Sequence, residues 1–259
     1  MILDDIVEKR KLQLKKEKDR IGFEEMKQAA LTVKVPCRDF KAALCKEKLA
    51  VIAEVKKASP SKGVICADFH PEEIAAAYEK AGADALSVLT EEHYFQGSAE
   101  YLKAIRQKVA LPLLRKDFII DPYQIYEARV LGADAVLLIA ALLDTNTLAE
   151  YRSLANSLGL AALAEVHNEP ELESVLNADC DLIGINNRNL KTFEVTLETT
   201  HILAAKVPPG KALVSESGIG TNAHMRFVRE CGASAVLVGE TLMRSGDISG
   251  TLQALRDSV

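Results

Sequence analysis

Ala81-Gly-Ala-Asp-Ala-Leu-Ser-Val-Leu89 decides the fold, because the chain writes it again further on. Leu131-Gly-Ala-Asp-Ala-Val-Leu-Leu-Ile139 and Cys231-Gly-Ala-Ser-Ala-Val-Leu-Val-Gly239 repeat it closely, and Ala178-Asp-Cys-Asp-Leu-Ile-Gly-Ile185 is a degraded copy. Each copy reads as a helix end, a glycine stop and a buried strand. The copies recur at roughly 50 residues, the spacing of a repeated supersecondary unit. Midway between them lie other apolar runs, at 51–55, 111–114, 160–164 and 212–214. Eight strands therefore alternate with helical segments at 72–81, 99–108, 123–131, 147–158, 170–176, 197–206, 222–231 and 248–256. Strands nearly continuous in apolar residues, each followed by a helix, imply a parallel sheet with helices packed against it. Eight such units without a break imply an α/β fold of the closed (β/α)8 type, a TIM barrel. A doubly wound open sheet with two lobes is the competing arrangement, but no linker or composition shift divides the chain.

Residues 1–48 stand outside the repeat and read as an N-terminal helical extension packed on the barrel, with 49–259 as one barrel domain. A helix is expected over 2–20, with Ile2, Leu3, Ile6 and Val7 as a short apolar stripe, Asp4 and Asp5 suiting its positive end, and 9–20 as a solvated face. Further helix is expected over 23–31 and 40–49, broken around Pro36. The apolar stripe suits packing across the barrel mouth or against a neighbouring subunit.

Composition narrows the function. The chain has 259 residues, 48% hydrophobic and 27% charged, enough for one large core. A net charge of −5 draws no polyanion to the surface as a whole, so nucleic acid is not an expected partner. No apolar run reaches the roughly 18 residues of a membrane helix, and Met-Ile-Leu-Asp-Asp lacks the order of a signal peptide. Cys37, Cys45, Cys66, Cys180 and Cys231 are odd in number and scattered, without a Cys-x-x-Cys pair, and the five histidines show no ligand spacing. A cytoplasmic protein without membrane, metal or cofactor is expected.

The charges at the strand ends carry the chemistry. The first strand opens Ala50-Val-Ile-Ala-Glu-Val-Lys-Lys-Ala-Ser-Pro-Ser-Lys-Gly63, so Glu54 and Lys56 share a face just before a Ser/Pro/Gly loop. Strand three ends at Lys116, strand five at Glu165, strand seven at Glu216, and strand six adds Asn186. Active sites of such barrels lie at the C-terminal ends of the strands. Leu114 and Lys116, Leu163 and Glu165, and Val214 and Glu216 share faces by parity, and the wet mouth is a cheaper place for them than an apolar seam under the helices. Two lysines and three carboxylates at one mouth can separate their pKa values into a proton donor and a proton acceptor; a charge ladder supporting the rim is the plainer alternative. Ser217-Gly-Ile-Gly220 and Gly239 fall in the two loops where barrels often hold a phosphate, with Lys56 and Arg188 able to add charge-assisted bonds. Phe95, Phe118 and Leu190 stand in loops near the mouth as candidate walls for a ring.

Over essentially its whole length the chain resembles the indole-3-glycerol-phosphate synthase family of tryptophan biosynthesis. The motifs are Ile52-Ala-Glu-Val-Lys-Lys-Ala-Ser-Pro-Ser-Lys-Gly63, Leu113-Leu-Arg-Lys-Asp-Phe-Ile119, Leu163-Ala-Glu-Val-His167, Ile183-Gly-Ile-Asn-Asn-Arg-Asn-Leu190 and Ser215-Glu-Ser-Gly-Ile219, together with the helical leader. The resemblance implies a phosphorylated small-molecule substrate, 1-(2-carboxyphenylamino)-1-deoxyribulose 5-phosphate, closed to an indole with loss of CO2 and water. Lys116 would be the general acid and Glu165 an acid or base of the dehydration. Lys56 would hold the substrate carboxylate with Glu54 orienting it, and exchange of roles between the two lysines stays open. Asn186 would bond a hydroxyl or the carboxylate, and Glu216 would support the lysines. Ser217, Gly218, Gly239 and Arg188 would hold the phosphate. Pro60, beside Ser59 in the loop leading over the site, would clamp the ring with Phe95, Phe118 and Leu190. Glu240, after Gly239, also falls at the phosphate site. It stands where some relatives have a small hydroxyl residue, which leaves the anion to backbone N–H groups. No metal or cofactor is implied, and no fused isomerase domain is expected. A monomer is expected, with association with other tryptophan-pathway enzymes left open. The rival readings are another phosphosugar barrel enzyme, such as phosphoribosylanthranilate isomerase, and a non-catalytic phosphosugar-binding barrel.

Overall fold

The computed structural model describes residues 2–257. Met1, Ser258 and Val259, the outer ends of the two expected regions, lie outside the described residues. Three helices come first: α1 (Ile2–Arg20), α2 (Phe23–Thr32) and α3 (Phe40–Leu44). The barrel follows with β1 (Ala50–Val55), a small hairpin of β2 (Ala58–Ser59) and β3 (Gly63–Val64), α4 (Pro71–Lys80), β4 (Ala85–Leu89), α5 (Ala99–Lys108), β5 (Leu113–Lys116), α6 (Pro122–Leu131) and β6 (Ala135–Ile139). It continues with α7 (Thr145–Ser157), β7 (Ala161–Val166), α8 (Glu169–Asn177), β8 (Leu182–Asn186), α9 (Glu198–Ala204), β9 (Ala212–Glu216), α10 (Asn222–Glu230), β10 (Ala235–Val238), α11 (Glu240–Met243) and α12 (Ile248–Arg256). Apart from the hairpin, the strands form a closed parallel barrel in the order β1-β10-β9-β8-β7-β6-β5-β4, as the repeat predicts.

The repeat has a structural reason. Its fourth residue stands at the start of a strand and bonds the neighbouring one: Asp84 Oδ2 accepts from Val51 N at 2.9 Å and Asp134 Oδ2 from Leu113 N at 2.8 Å. In the third copy Ser234 donates to the Leu213 carbonyl at 3.0 Å. At the opposite face, Ser98, Asp121, Asp144, Asn168, Thr221 and Asp247 each accept a bond from a backbone N–H of the following helix. These caps fix where each helix leaves the loop after its strand.

Strand alternation separates two cores. Between barrel and helices lies the larger one, with Val51, Val55, Leu86, Val136 and Ile183 among its residues. Inside the barrel Ile52, Ala85, Leu114, Leu137, Leu163, Val214 and Leu237 pack together, and Phe40 and Leu44 of α3 belong to the same cluster. The interior parity of Ile52, Leu114, Leu163 and Val214 is that of Glu54, Lys116, Glu165 and Glu216, so the charges point inward above this plug.

The structure departs from expectation in several places. Strands β5, β7 and β9 run on through their charged ends, where an apolar-run criterion stops early. The segment 40–49 is helical only to Leu44, the next three residues after Cys45 being exposed Lys46, Glu47 and Lys48. The hairpin β2–β3, with Gly63 at φ +65°, and the short α11 have no apolar signal in the sequence. The largest correction concerns 9–20, which is not simply a solvated face. Arg10 is wholly buried and Leu14 is buried. Arg10 Nε donates to Asp117 Oδ1 at 3.1 Å, while Arg115 donates to Asp117 Oδ2 at 3.0 Å and to Glu127 Oε2 at 2.7 Å. Arg115 and Asp117 thus occupy the helix-facing side that single charges avoid; mutual pairing makes the burial tolerable. This network ties α1 to the barrel.

Candidate active site

A cavity of about 580 Å³ opens at the C-terminal ends of the strands, a volume suited to a small-molecule ligand. Charged strand ends form its floor, and its walls carry both apolar side chains and the charged Lys62, Arg188, Glu240 and Arg244. Ile2, Leu3 and Ile6 of α1 line it, so the apolar stripe of the leader lies across the mouth.

Lys116 is central. Its Nζ donates to Glu165 Oε2 at 2.8 Å and to Glu216 Oε2 at 2.5 Å, bringing together strands three, five and seven of the barrel. Burial works against the ammonium, but Glu165 and Glu216, and then Glu54, outweigh it and hold Lys116 above the ordinary lysine range. The carboxylates diverge. Burial raises Glu165, yet Lys116 and the His167 ring outweigh this and hold it below the usual carboxylate range. Burial pushes Glu216 up to about 7; Lys116 opposes the rise and the Glu165 charge adds to it. Glu54 and Lys56 form a second ion pair on the same floor.

Two glycines make these pairs possible. A Cβ on Gly184 would sit 2.1 Å from Glu216 Oε1, and one on Gly239 would sit 2.2 Å from Glu54 Oε2. Gly239, expected only as a phosphate turn, therefore also vacates the space that the Glu54 carboxylate fills.

At one side of the cavity Ser217 (φ +66°) and Gly218 (φ +85°) turn the chain sharply after β9. Ser217 Oγ donates to Asn186 Oδ1 at 2.9 Å, and the same oxygen accepts from Arg188 N at 3.0 Å. Thr241 Oγ1 donates to the Ile219 carbonyl at 2.7 Å, joining the loops after β9 and β10. The Glu240 carboxylate accepts from Arg244 Nε at 3.0 Å and lies 3.6 Å from Lys62 Nζ. Across the mouth, the Phe95 and Phe118 rings stand 5.9 Å apart between centroids.

Glu54, Lys56, Lys116, Glu165, Asn186 and Glu216 all line this cavity, as do Ser59, Pro60, Phe95, Phe118, Arg188, Leu190, Ser217, Gly218, Gly239 and Glu240. Lys62, Arg244 and Phe193 line it too without having been singled out from the sequence. Lys62 stood inside a quoted motif; Arg244 is one helical turn beyond Glu240, and only the pairing of the two exposes its place. Among the described residues no cluster of metal-ligating side chains occurs and no helix is long and apolar enough to cross a membrane.

Fold and cavity together define a (β/α)8-barrel protein with a lysine–carboxylate centre at the floor of its mouth. Comparison with solved structures agrees on the fold: 3-hexulose-6-phosphate synthase superposes with a TM-score of 0.65 at 12% identity, covering 82% of this chain and 100% of that one. Thiamine phosphate pyrophosphorylase from Pyrococcus furiosus gives 0.61 at 20% identity, covering 83% and 96%. Sequence relatives are far nearer. Indole-3-glycerol phosphate synthase of Endomicrobium trichonymphae is 50% identical over 99% of this chain and 100% of its own length. That of Ruminiclostridium cellulolyticum is 50% identical over the full length of both, and that of Neisseria gonorrhoeae 56% identical over 80% and 79%. The family description indole-3-glycerol phosphate synthase matches residues 3–255. The chain belongs to the indole-3-glycerol phosphate synthase family and is an enzyme of tryptophan biosynthesis acting on a small molecule.

Proposed function

We propose that the chain works as a carboxy-lyase in this cavity, closing 1-(2-carboxyphenylamino)-1-deoxyribulose 5-phosphate to indole-3-glycerol phosphate. The observation that carries the reading is Lys116, a half-buried ammonium between two buried carboxylates of opposite pKa displacement. The ring carbon bearing the carboxylate attacks the ketose carbonyl while Lys116 gives a proton to the carbonyl oxygen. CO2 leaves and the ring regains aromaticity. The hydroxyl then departs as water, taking a second proton from Lys116 once solvent has recharged it, while Glu165, held as a carboxylate, takes the proton from the adjacent carbon. Because a carboxylate leaves as neutral CO2, each turnover takes up one proton net. Each positioned acid or base contributes about 10²–10⁴ in rate.

The remaining residues hold the substrate. Lys56, oriented by Glu54, grips its carboxylate; Asn186 bonds a hydroxyl and Glu216 supports Lys116. Ser217, Gly218, Gly239, the backbone of Glu240 and Arg188 take the phosphate. Pro60, Phe95, Phe118 and Leu190 clamp the ring. We also read the protein as cytoplasmic and as a monomer; the leader's apolar stripe, which lines its own barrel mouth, supports the monomer. Turnover tests the reaction: the purified protein given the anilino-ribulose phosphate should yield indole fluorescence and CO2 in equal amounts. Absence of CO2, or conversion only of the isomeric anilino-ribose phosphate, refutes it.

A further inference from the structure

His167 follows β7 directly and its side chain is only 9% exposed. Two carboxylates face it, Glu165 from the end of its own strand and Glu171 from α8. Glu171 is rigidly placed: its Oε1 accepts from Asn168 Nδ2 at 2.6 Å, and Asn168 Oδ1 in turn caps Glu171 N at 3.0 Å. Its Oε2 accepts from both His167 N at 2.8 Å and His167 Nδ1 at 3.0 Å. The other ring nitrogen, Nε2, stands 3.4 Å from Glu165 Oε1 and has no hydrogen-bond partner among the described residues. The second oxygen of that carboxylate is the one bonded to Lys116. Glu165 is therefore held between two cations, one at each oxygen.

We propose that His167 is a positioning residue for the reaction, an imidazolium anchored by Glu171 that clamps Oε1 of Glu165 and so keeps Oε2 charged and turned toward Lys116 and the substrate. Anchoring by a helix cap gives the clamp little freedom, and a buried cation facing an acceptor costs less than a buried neutral ring leaving a carboxylate half paired. Burial lowers the His167 pKa, but the bonded Glu171 carboxylate and the facing Glu165 carboxylate outweigh it and push it up to about 10, so the ring is charged through the neutral range. The inference rests on the reading of Glu165 as the base. It adds what makes that carboxylate a base in a site where its neighbour Glu216 is held protonated up to about 7.

The test is the pH profile of kcat and kcat/KM from pH 3 to 9, wide enough to reach the lower acid limb of a carboxylate held below its usual range, with thermal melting as a control of folding. His167→Gln should lower kcat about tenfold with KM nearly unchanged, and should move the acid limb up by about one pH unit, since loss of a neighbouring cation raises a carboxylate. Glu171→Gln should shift the limb the same way by less, and His167→Lys, which keeps a cation, should return it toward the parent position. An acid limb unmoved in His167→Gln overturns the proposal even if kcat or melting temperature falls, because a merely structural role predicts that pattern. Should His167→Gln not fold, Glu171→Gln decides by the same criterion. Glu165→Gln separates the two readings: full activity there refutes Glu165 as base, whereas an inactive Glu165→Gln beside an unmoved limb refutes the clamp alone.

Discussion

Gly239 and Glu54 share one space: the missing side chain of the first is where the carboxylate of the second lies, a Cβ there falling 2.2 Å from Oε2. Lys56 Nζ would be 3.0 Å from the same Cβ, so the glycine shapes the whole ion pair. Gly239→Ala is expected to keep the barrel, at a cost of about 1–3 kcal/mol in stability, and to lower kcat/KM by about 10²-fold as the pair is displaced. Steady-state kinetics beside urea denaturation measures both; activity within a factor of three of the parent refutes the steric account.

Lys116→Met removes the cation from between Glu165 and Glu216. The barrel should persist, with kcat down by about 10²–10⁴. The two carboxylates then face each other unshielded, so their folded pKa values rise, and stability should fall more steeply with rising pH than in the parent. Denaturation curves between pH 5 and 8 test this directly.

His167 and Glu216 both bind their protons more tightly in the folded chain. The stabilisation from Glu216 is full below its ordinary value of 4.5 and is lost as pH rises to about 7. That from His167 is full below 6.5 and is lost as pH rises to about 10. Glu165 is depressed and acts oppositely, its contribution being present above 4.5 and lost on acidification. Stability should therefore decline on the alkaline side, and His167→Gln should flatten that decline between pH 6.5 and 10. Equal slopes in parent and variant would show that His167 is neutral when folded.

Arg10→Met leaves buried Asp117 with Arg115 as its remaining salt-bridge partner, beside hydrogen bonds from Thr90 Oγ1 and Phe118 N. Removing one partner of a buried pair costs about 3–5 kcal/mol, and Arg10→Met combined with Asp117→Asn should lose less than the sum of the two. A double-mutant cycle by urea denaturation measures the coupling; strict additivity would mean that α1 is not held by this pair.

Much of the architecture was legible because a barrel repeats. The Gly-Ala-Asp copies mark strand starts, and their polar fourth residue earns its place by bonding the adjacent strand. Parity along short strands put Glu54, Lys116, Glu165 and Glu216 on the face shared by Ile52, Leu114, Leu163 and Val214. The same parity, applied to Leu113-Leu-Arg-Lys-Asp-Phe118, sets Arg115 and Asp117 on the opposite face, but nothing local says that Arg10, more than a hundred residues earlier, supplies the missing charge. Glu240 was legible as a departure beside a glycine, whereas its hold on Arg244 and approach to Lys62 was not.

The sequence by itself determined the periodicity, and hence eight strands, a helical leader and the strand ends at which charged residues gather. These follow from local rules, the alternation of side chains and the stop signals of helices, which act over a few residues. Only the tertiary structure decided which charges meet: Lys116 with Glu165 and Glu216, Arg10 with Asp117, His167 between Glu165 and Glu171. Barrel closure sets these pairings, bringing residues from distant strands within hydrogen-bond distance in a poorly solvated interior. There a pKa depends on the neighbours across the barrel more than on the residue's own type.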